Sequence, residues 1–153
     1  MTQVANATTT KRTFSRETSI SVDIQASPKI IWQLLTTASD MPRWNSTIVS
    51  LDGIIQQGDT IQLKSTLDEK RTFKLKVKEF MPEQRLVWGD SQGKRVYTLT
   101  PKGNSVTTVT MTETIGGPIF PLFARFIPDF DESFEQFAAD LKHEAEAQQG
   151  DAV

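Results

Sequence analysis

Phe130, Phe134, Phe137, Leu141 and Ala145 step by four, three, four and four residues, which places all five on one stripe of an α-helix. Six of the nine phenylalanines lie between Phe120 and Phe137, a density that a helix with a free surface does not carry. Burying one large apolar side chain gains about 1.5–3 kcal/mol, a sizeable part of the roughly 5–15 kcal/mol that holds a domain together. The rest of the chain must therefore cover this stripe.

Strands are the material available to do so. Thr18, Ile20, Val22 and Ile24 alternate with Ser19, Ser21 and Asp23, the period of a half-buried strand. At Ser27-Pro28 the pattern changes: Ser27 is a favourable N-cap, and Pro28 suits the first helical turn because its missing N–H has no partner there. Ile30, Ile31, Leu34 and Leu35 then form an apolar face with Trp32 beside it, on a short helix to about Thr37, and Asp40 can cap a second turn through Trp44. From Thr47 the chain reads strand and turn alternately: Ile48 to Leu51, Thr60 to Ser65, Arg71 to Phe80, Arg85 to Asp90, Lys94 to Thr100 and Ser105 to Ile115, with Leu67 to Lys70 as a turn. Phe73, Leu75 and Val77 share one face while Thr72, Lys74, Lys76 and Lys78 share the other.

Gly116-Gly117-Pro118 ends the last strand. Ile119 to Ile127 is apolar nearly all round, and Pro128 breaks any helix that would run through it. Asp129, Asp131 and Glu132 put negative charge at the start of the main helix, which runs from about Pro128 to Gln148. The count is one strand, a helix pair, six strands and a long helix. A sheet of hairpin-linked strands buries one face, and the Phe stripe is the one long apolar surface available to it.

Composition limits the function. A length of 153 residues without an internal Gly, Ser or Pro linker predicts one domain over residues 12–148, with tails at 1–11 and 149–153 that are polar and small enough to be disordered. Net charge is −2, which gives no electrostatic footprint for nucleic acid or an anionic membrane. Lys70, Lys74, Lys76 and Lys78 read as the solvated outer face of a sheet. Without cysteine there is no disulfide framework, thiolate nucleophile or cysteine zinc site, in keeping with a cytoplasmic location. The sole histidine, His143, lies two residues past Leu141, about 200° round the helix from the stripe, so a serine triad or a histidine metal site has no centre. Carboxylate-only sites for magnesium or calcium stay open, but no EF-hand or P-loop spacing appears; neither a metal nor a cofactor is expected. The nine residues 119–127 are too few to span a bilayer and predict no stable membrane insertion. They read instead as a gate over a cavity, or as a point of transient contact with a lipid surface.

Ala26-Ser27-Pro28, Ile31-Trp32-Gln33-Leu34-Leu35-Thr36, and then Asp40, Pro42, Arg43, Trp44 and Asn45 resemble the opening signature of the SRPBCC superfamily. These are the START-like, helix-grip proteins, among them polyketide cyclases, lipid-transfer domains and the major birch pollen allergen. Pro82 ahead of Leu86-Val87-Trp88, the hairpin at Pro101, and Phe137 with Leu141-Lys142 and Ala145-Glu146 are similar to the polyketide cyclase/dehydrase and lipid-transport branch. The resemblance runs from about Phe14 to Ala147. It departs at Thr37, where an acidic residue is common, and at Ser46, where proline often follows; both bear on substrate choice. It implies an α+β helix-grip fold: a seven-stranded curved antiparallel sheet wrapped around the C-terminal helix, a short helix pair between strands one and two, and an apolar cavity between sheet and helix.

Strand parity aims Phe73, Leu75, Trp88, Tyr97, Leu99 and Met111 into that space, with Trp44 from the helix pair and Phe123, Phe126 and Phe130 from the C-terminal segment. These are the candidate ligand contacts. Three polar residues share the inward parity. Tyr97 either offers its hydroxyl to a ligand carbonyl or lies at the sheet rim. Glu113 either sits in the cavity with a raised pKa or lies in water at the mouth. Arg71 either neutralises Glu113 or an anionic ligand head, or ends in solvent.

Three functions fit this pattern. One is a carrier or sensor for a hydrophobic small molecule such as a lipid, a quinone or a polyketide-like aromatic. The second is a polyketide cyclase or dehydratase in which Tyr97 works with Glu113 or Arg71 as acid and base. The third is a protein-interaction module of the chaperone-cofactor kind, which requires an exposed apolar patch.

Overall fold

The computed structural model describes residues 5–103 and 105–151. One antiparallel sheet of eight strands carries the fold, in the order β1-β2-β8-β7-β6-β5-β4-β3. The strands are β1 (Thr8–Lys11), β2 (Ser15–Ile24), β3 (Ile48–Asp52), β4 (Thr60–Ser65), β5 (Asp68–Met81), β6 (Arg85–Gly89), β7 (Gly93–Pro101) and β8 (Thr107–Gly116). Between β2 and β3 stand α1 (Pro28–Thr36), a single 3₁₀ turn (Ala38–Asp40) and α2 (Met41–Trp44). After β8 come α3 (Phe120–Phe123), a second 3₁₀ turn (Ala124–Phe126) and the long α4 (Asp131–Asp151).

The seven expected strands are all present, and an eighth precedes them. Thr8–Lys11, read from the sequence as part of a disordered tail, pairs along the free edge of β2 with Thr8 opposite Ser19 and Lys11 opposite Arg16. The Thr9 hydroxyl bonds Asp131 and lies 3.0 Å from the Thr18 hydroxyl, and the Ala7 N–H donates to Glu135 at 3.0 Å. Threonine favours strands, and this strand buries few apolar groups, so no hydrophobic alternation announced it. Residues 1–4 of the expected tail lie outside the described residues.

The other tail also changes: α4 continues through Gly150 to Asp151, and residues 152–153 lie outside the described residues. Gln149 accepts from the Ser27 N–H at 2.9 Å and Glu146 from the Gln25 N–H at 2.8 Å, which tie the last turns to the end of β2. At its other end the helix starts at Asp131 rather than Pro128, with the Phe134 N–H bonded to Phe130 O at 2.8 Å.

Local chemistry accounts for the joints. Ser27 caps α1 as expected, accepting from the Ile30 N–H at 3.4 Å. Asp40 makes no capping bond to α2; it takes a two-point contact from Arg43 at 2.7 and 3.0 Å. The expected turn at Leu67–Lys70 is shorter, since β5 already begins at Asp68. Register shifts interrupt the ladders at Ile48/Ser50, Leu63/Ser65 and Val77/Glu79, and such bulges bend the strands that carry them.

Phe134, Phe137, Leu141 and Ala145 are buried against the sheet, as the stripe requires, while Phe130 is half-buried. Ile20, Val22, Ile24, Leu86, Leu99, Val109 and Met111 meet them from the strands, and Ile31, Leu35, Met41 and Trp44 from the helix pair. This end of the sheet is covered by α4 and the helix pair. The other end, beyond the start of α4, is covered only by the thin segment Phe120–Pro128.

Candidate functional site

A cavity of about 220 Å³ occupies that thinly covered end. Leu63, Phe73, Leu75 and Trp88 line it from the sheet, Phe123, Phe126, Ile127 and Pro128 from the covering segment, and Phe130 from the entrance to α4. Register explains the sheet wall. Trp88 stands opposite Arg95, and Arg95 opposite Glu113, so one row crosses β6, β7 and β8 with all three side chains on the inner face. The next row, Leu86, Tyr97 and Met111, already lies under α4.

That boundary sorts the expected contacts. Phe73, Leu75, Trp88, Phe123, Phe126 and Phe130 line the cavity. Trp44, Tyr97, Leu99 and Met111 do not: they point inward as parity demands but are consumed by packing. The Trp44 ring lies 6.1 Å from that of Phe137, and Tyr97, 1% exposed, sits 5.2 Å from Trp88 and 5.9 Å from Phe137. Parity fixes which face a side chain takes; how far α4 reaches along the sheet decides whether it meets a helix or a void.

The polar candidates separate in the same way. Glu113 lines the cavity, largely enclosed, and desolvation raises its pKa, with the Arg95 charge opposing and Asp90 adding to the rise. The alternative of a solvated carboxylate at the mouth is set aside by this enclosure. Arg71 also reaches the cavity, but at its exposed rim, with the guanidinium 4.3 Å above the Phe73 ring. It therefore does not neutralise Glu113. That partner is Arg95, with Nη2 3.5 Å from Oε1. Burial raises the Tyr97 phenol above its ordinary range, against the pull of the neighbouring Arg95 charge.

Arg95 shares the inward parity of Tyr97 and Leu99, a signal present in the sequence but weak, because a strand arginine ordinarily ends in water. The same holds for Arg16. It is buried at the start of β2, and its guanidinium donates to Ala124 O and Ile127 O at 3.2 Å and Pro128 O at 3.5 Å. One side chain thus holds the covering segment down from inside. Outside, the same segment exposes Ile119, Leu122 (77% exposed) and Phe126 (70%).

Among the described residues no group of three or more His, Asp or Glu side chains is placed to hold a metal ion, and no helix is long and apolar enough to cross a membrane. His143 is exposed on α4.

A curved antiparallel sheet closed around a C-terminal helix, with a cavity under the helix entrance, defines a START-like, helix-grip protein. Residues 15–146 match the polyketide cyclase/dehydrase and lipid transport family, and the chain belongs to it. Among solved structures it is similar to a START superfamily protein from Mycobacterium smegmatis at 17% identity, covering 86% of this chain and 98% of the other with a TM-score of 0.64. A protein from Rhodobacter sphaeroides is similar at 18% identity, with coverage of 92% and 99% and a TM-score of 0.67. DynU16, a protein in the dynemicin biosynthetic locus, is similar at 18% identity over 86% of this chain and 47% of its own, with a TM-score of 0.62. At such identities the likeness concerns the fold. No curated protein sequence matches the chain.

Proposed function

We propose that the protein binds a hydrophobic small molecule, as a carrier or sensor, in the cavity between the sheet and the Phe120–Pro128 segment. The observation that carries this reading is the wall itself: Phe73, Leu75, Trp88, Phe123 and Phe130 surround an open volume at the one end of the sheet that α4 leaves uncovered. Pockets lined by apolar and aromatic side chains with a few polar groups are the usual form of small-molecule sites. At about 220 Å³, the space lies below the roughly 300–1,000 Å³ of sites for drug-sized ligands, which favours a small flat ligand or the end of a longer one. Phe126 on the covering segment would be drawn toward the ligand as it closes, exchanging water for an apolar partner. Its position at the cavity mouth gives that exposed ring a use that needs no protein partner.

Native mass spectrometry of the protein after exposure to a lipid extract and to a panel of fused-ring aromatics tests the proposal. The expected result is a one-to-one complex that disappears when Leu75→Trp fills the cavity. A protein that stays ligand-free across the whole panel would overturn it.

The cyclase or dehydratase reading keeps one supporting observation, the enclosed Glu113 with its raised pKa, a disposition suited to general acid–base work. Its expected partners do not converge there: Tyr97 is outside the cavity wall, and Arg71 is at the rim. Loss of turnover of a poly-β-keto substrate in Glu113→Gln, with binding retained, would favour the enzyme over the carrier.

A further inference from the structure

The wall of the cavity contains one feature that an apolar ligand alone leaves unexplained. Arg95 keeps its charge at every physiological pH, yet its side chain is 16% exposed. Its one opposite charge among the described residues is Glu113, met at a single point at 3.5 Å. The exposed Arg43 of the same protein shows what a well-made contact looks like, with two bonds to Asp40 at 2.7 and 3.0 Å. The Arg95 Nε is buried without any partner. A guanidinium carries five N–H donors in a planar fork matched to an oxyanion, so this one is under-bonded at a place where water is scarce.

Its position is nonetheless fixed. The ring of Phe134 lies 5.3 Å from the guanidinium carbon, on the first turn of α4, and the cross-strand neighbours Trp88 and Glu113 flank it in register. The competing acids are engaged elsewhere or shared: Asp90 accepts from the N–H groups of Gln92 and Gly93 at 2.9 and 3.0 Å in the β6–β7 turn. Glu113 is the one carboxylate set against Arg95, with the Tyr97 hydroxyl beside it on the same strand, and these two neighbours leave the buried Nε of the fork without a partner.

We infer that the ligand is an amphipathic acid: a carboxylate or comparable oxyanion head takes the unused donors of Arg95 while an apolar body lies along Phe73, Leu75, Trp88 and Phe130. This rests on the ligand-binding reading above and narrows it. The head enters beside Glu113 and competes with it for the guanidinium, so Glu113 sets the strength of acid binding, and a neutral ligand of the same shape has no use for Arg95. Arg71, on the rim over Phe73, guides the anion inward without holding it.

Isothermal titration of the 153-residue chain at neutral pH with 2-naphthoic acid, methyl 2-naphthoate and decanoic acid tests the assignment. The acid is expected to bind at least tenfold more tightly than its ester. Arg95→Gln should abolish that preference, and Glu113→Gln, which removes the competing carboxylate, should increase the acid-to-ester ratio several-fold. A structural ion pair would give neither change. Preference for decanoic over naphthoic acid would make the acid an aliphatic lipid, and the reverse an aromatic one; either supports the head-group assignment. Equal affinities for acid and ester in the unmodified protein overturn it and leave the ligand-binding reading standing, and this comparison needs no variant to fold. If neither acid nor ester binds, the inference falls; if the apolar panel also fails, the broader reading falls with it.

Discussion

Phe137 and Phe126 belong to the same run of aromatics, but the structure gives them opposite work. Phe137 is 3% exposed and holds the rings of Trp44 and Tyr97 at 6.1 and 5.9 Å. Removing its ring leaves a cavity between α2, α4 and the sheet that three elements would have to move together to close. A buried Phe→Ala change costs about 3–5 kcal/mol. For a chain of this size about 1 kcal/mol moves the melting temperature by about 2–4 °C, so Phe137→Ala should melt about 6–20 °C lower. Phe126, 70% exposed at the cavity mouth, packs on little; Phe126→Ala should stay within about 0.5 kcal/mol of the parent and weaken ligand binding instead. Thermal and urea unfolding followed by circular dichroism, with titration of any ligand found by mass spectrometry, gives both readouts. Parent-like stability in Phe137→Ala, or a large stability loss in Phe126→Ala, would refute the division of the segment at Pro128 into gate and grip.

Three further outcomes follow from particular contacts. Because burial raises the folded pKa of Glu113 above its ordinary 4.5, the folded state binds that proton more tightly than the unfolded chain does; the stability it contributes is complete below 4.5 and is lost as pH rises through the raised value. Glu113→Gln should therefore flatten the decline in that window, read as melting temperature against pH; an unchanged profile would mean that the carboxyl titrates normally. A Cβ on Gly89 would meet Gly93 O at 2.4 Å and Lys94 Cα at 2.8 Å, both backbone, so Gly89→Ala should cost about 1–3 kcal/mol as an overpacked site and disturb the Asp90 turn at the cavity, visible as a melting shift absent from Gly150→Ala, where the helical backbone leaves open space, only if the crowding is real. Arg16→Ala frees three carbonyls of the covering segment, and amide hydrogen exchange should accelerate over residues 119–128 while α4 beyond Phe134 keeps its protection; uniform exchange would show that Arg16 does not anchor the gate.

The local signals in this chain were strong where a residue's chemistry has one use. Ser27-Pro28 could start only a helix, the alternation at Phe73, Leu75 and Val77 only a strand, and Pro128 only a break, and each did so. The weaker signals failed for identifiable reasons. Thr8–Lys11 carries no apolar face, and its order comes from the open edge of β2 and from α4, partners more than a hundred residues away in the case of Asp131 and Glu135. The extension of α4 to Asp151 similarly depends on Ser27 and Gln25 reaching its last turns.

That a Phe-striped C-terminal helix had to be covered by a sheet of alternating strands was legible residue by residue, because the period of each pattern fixes which face is apolar and burial of that face is the dominant favourable term. So was the parity of nearly every inward side chain. Where the packed core ends and the cavity begins came from the packing of distant elements. That boundary is set by the first turn of α4 and the bulges of β3–β6, and it assigned Tyr97 to the core, Glu113 to the wall and a buried charge to Arg95. Parity is a property of one strand and can be read locally; a void is defined by what several elements jointly fail to fill.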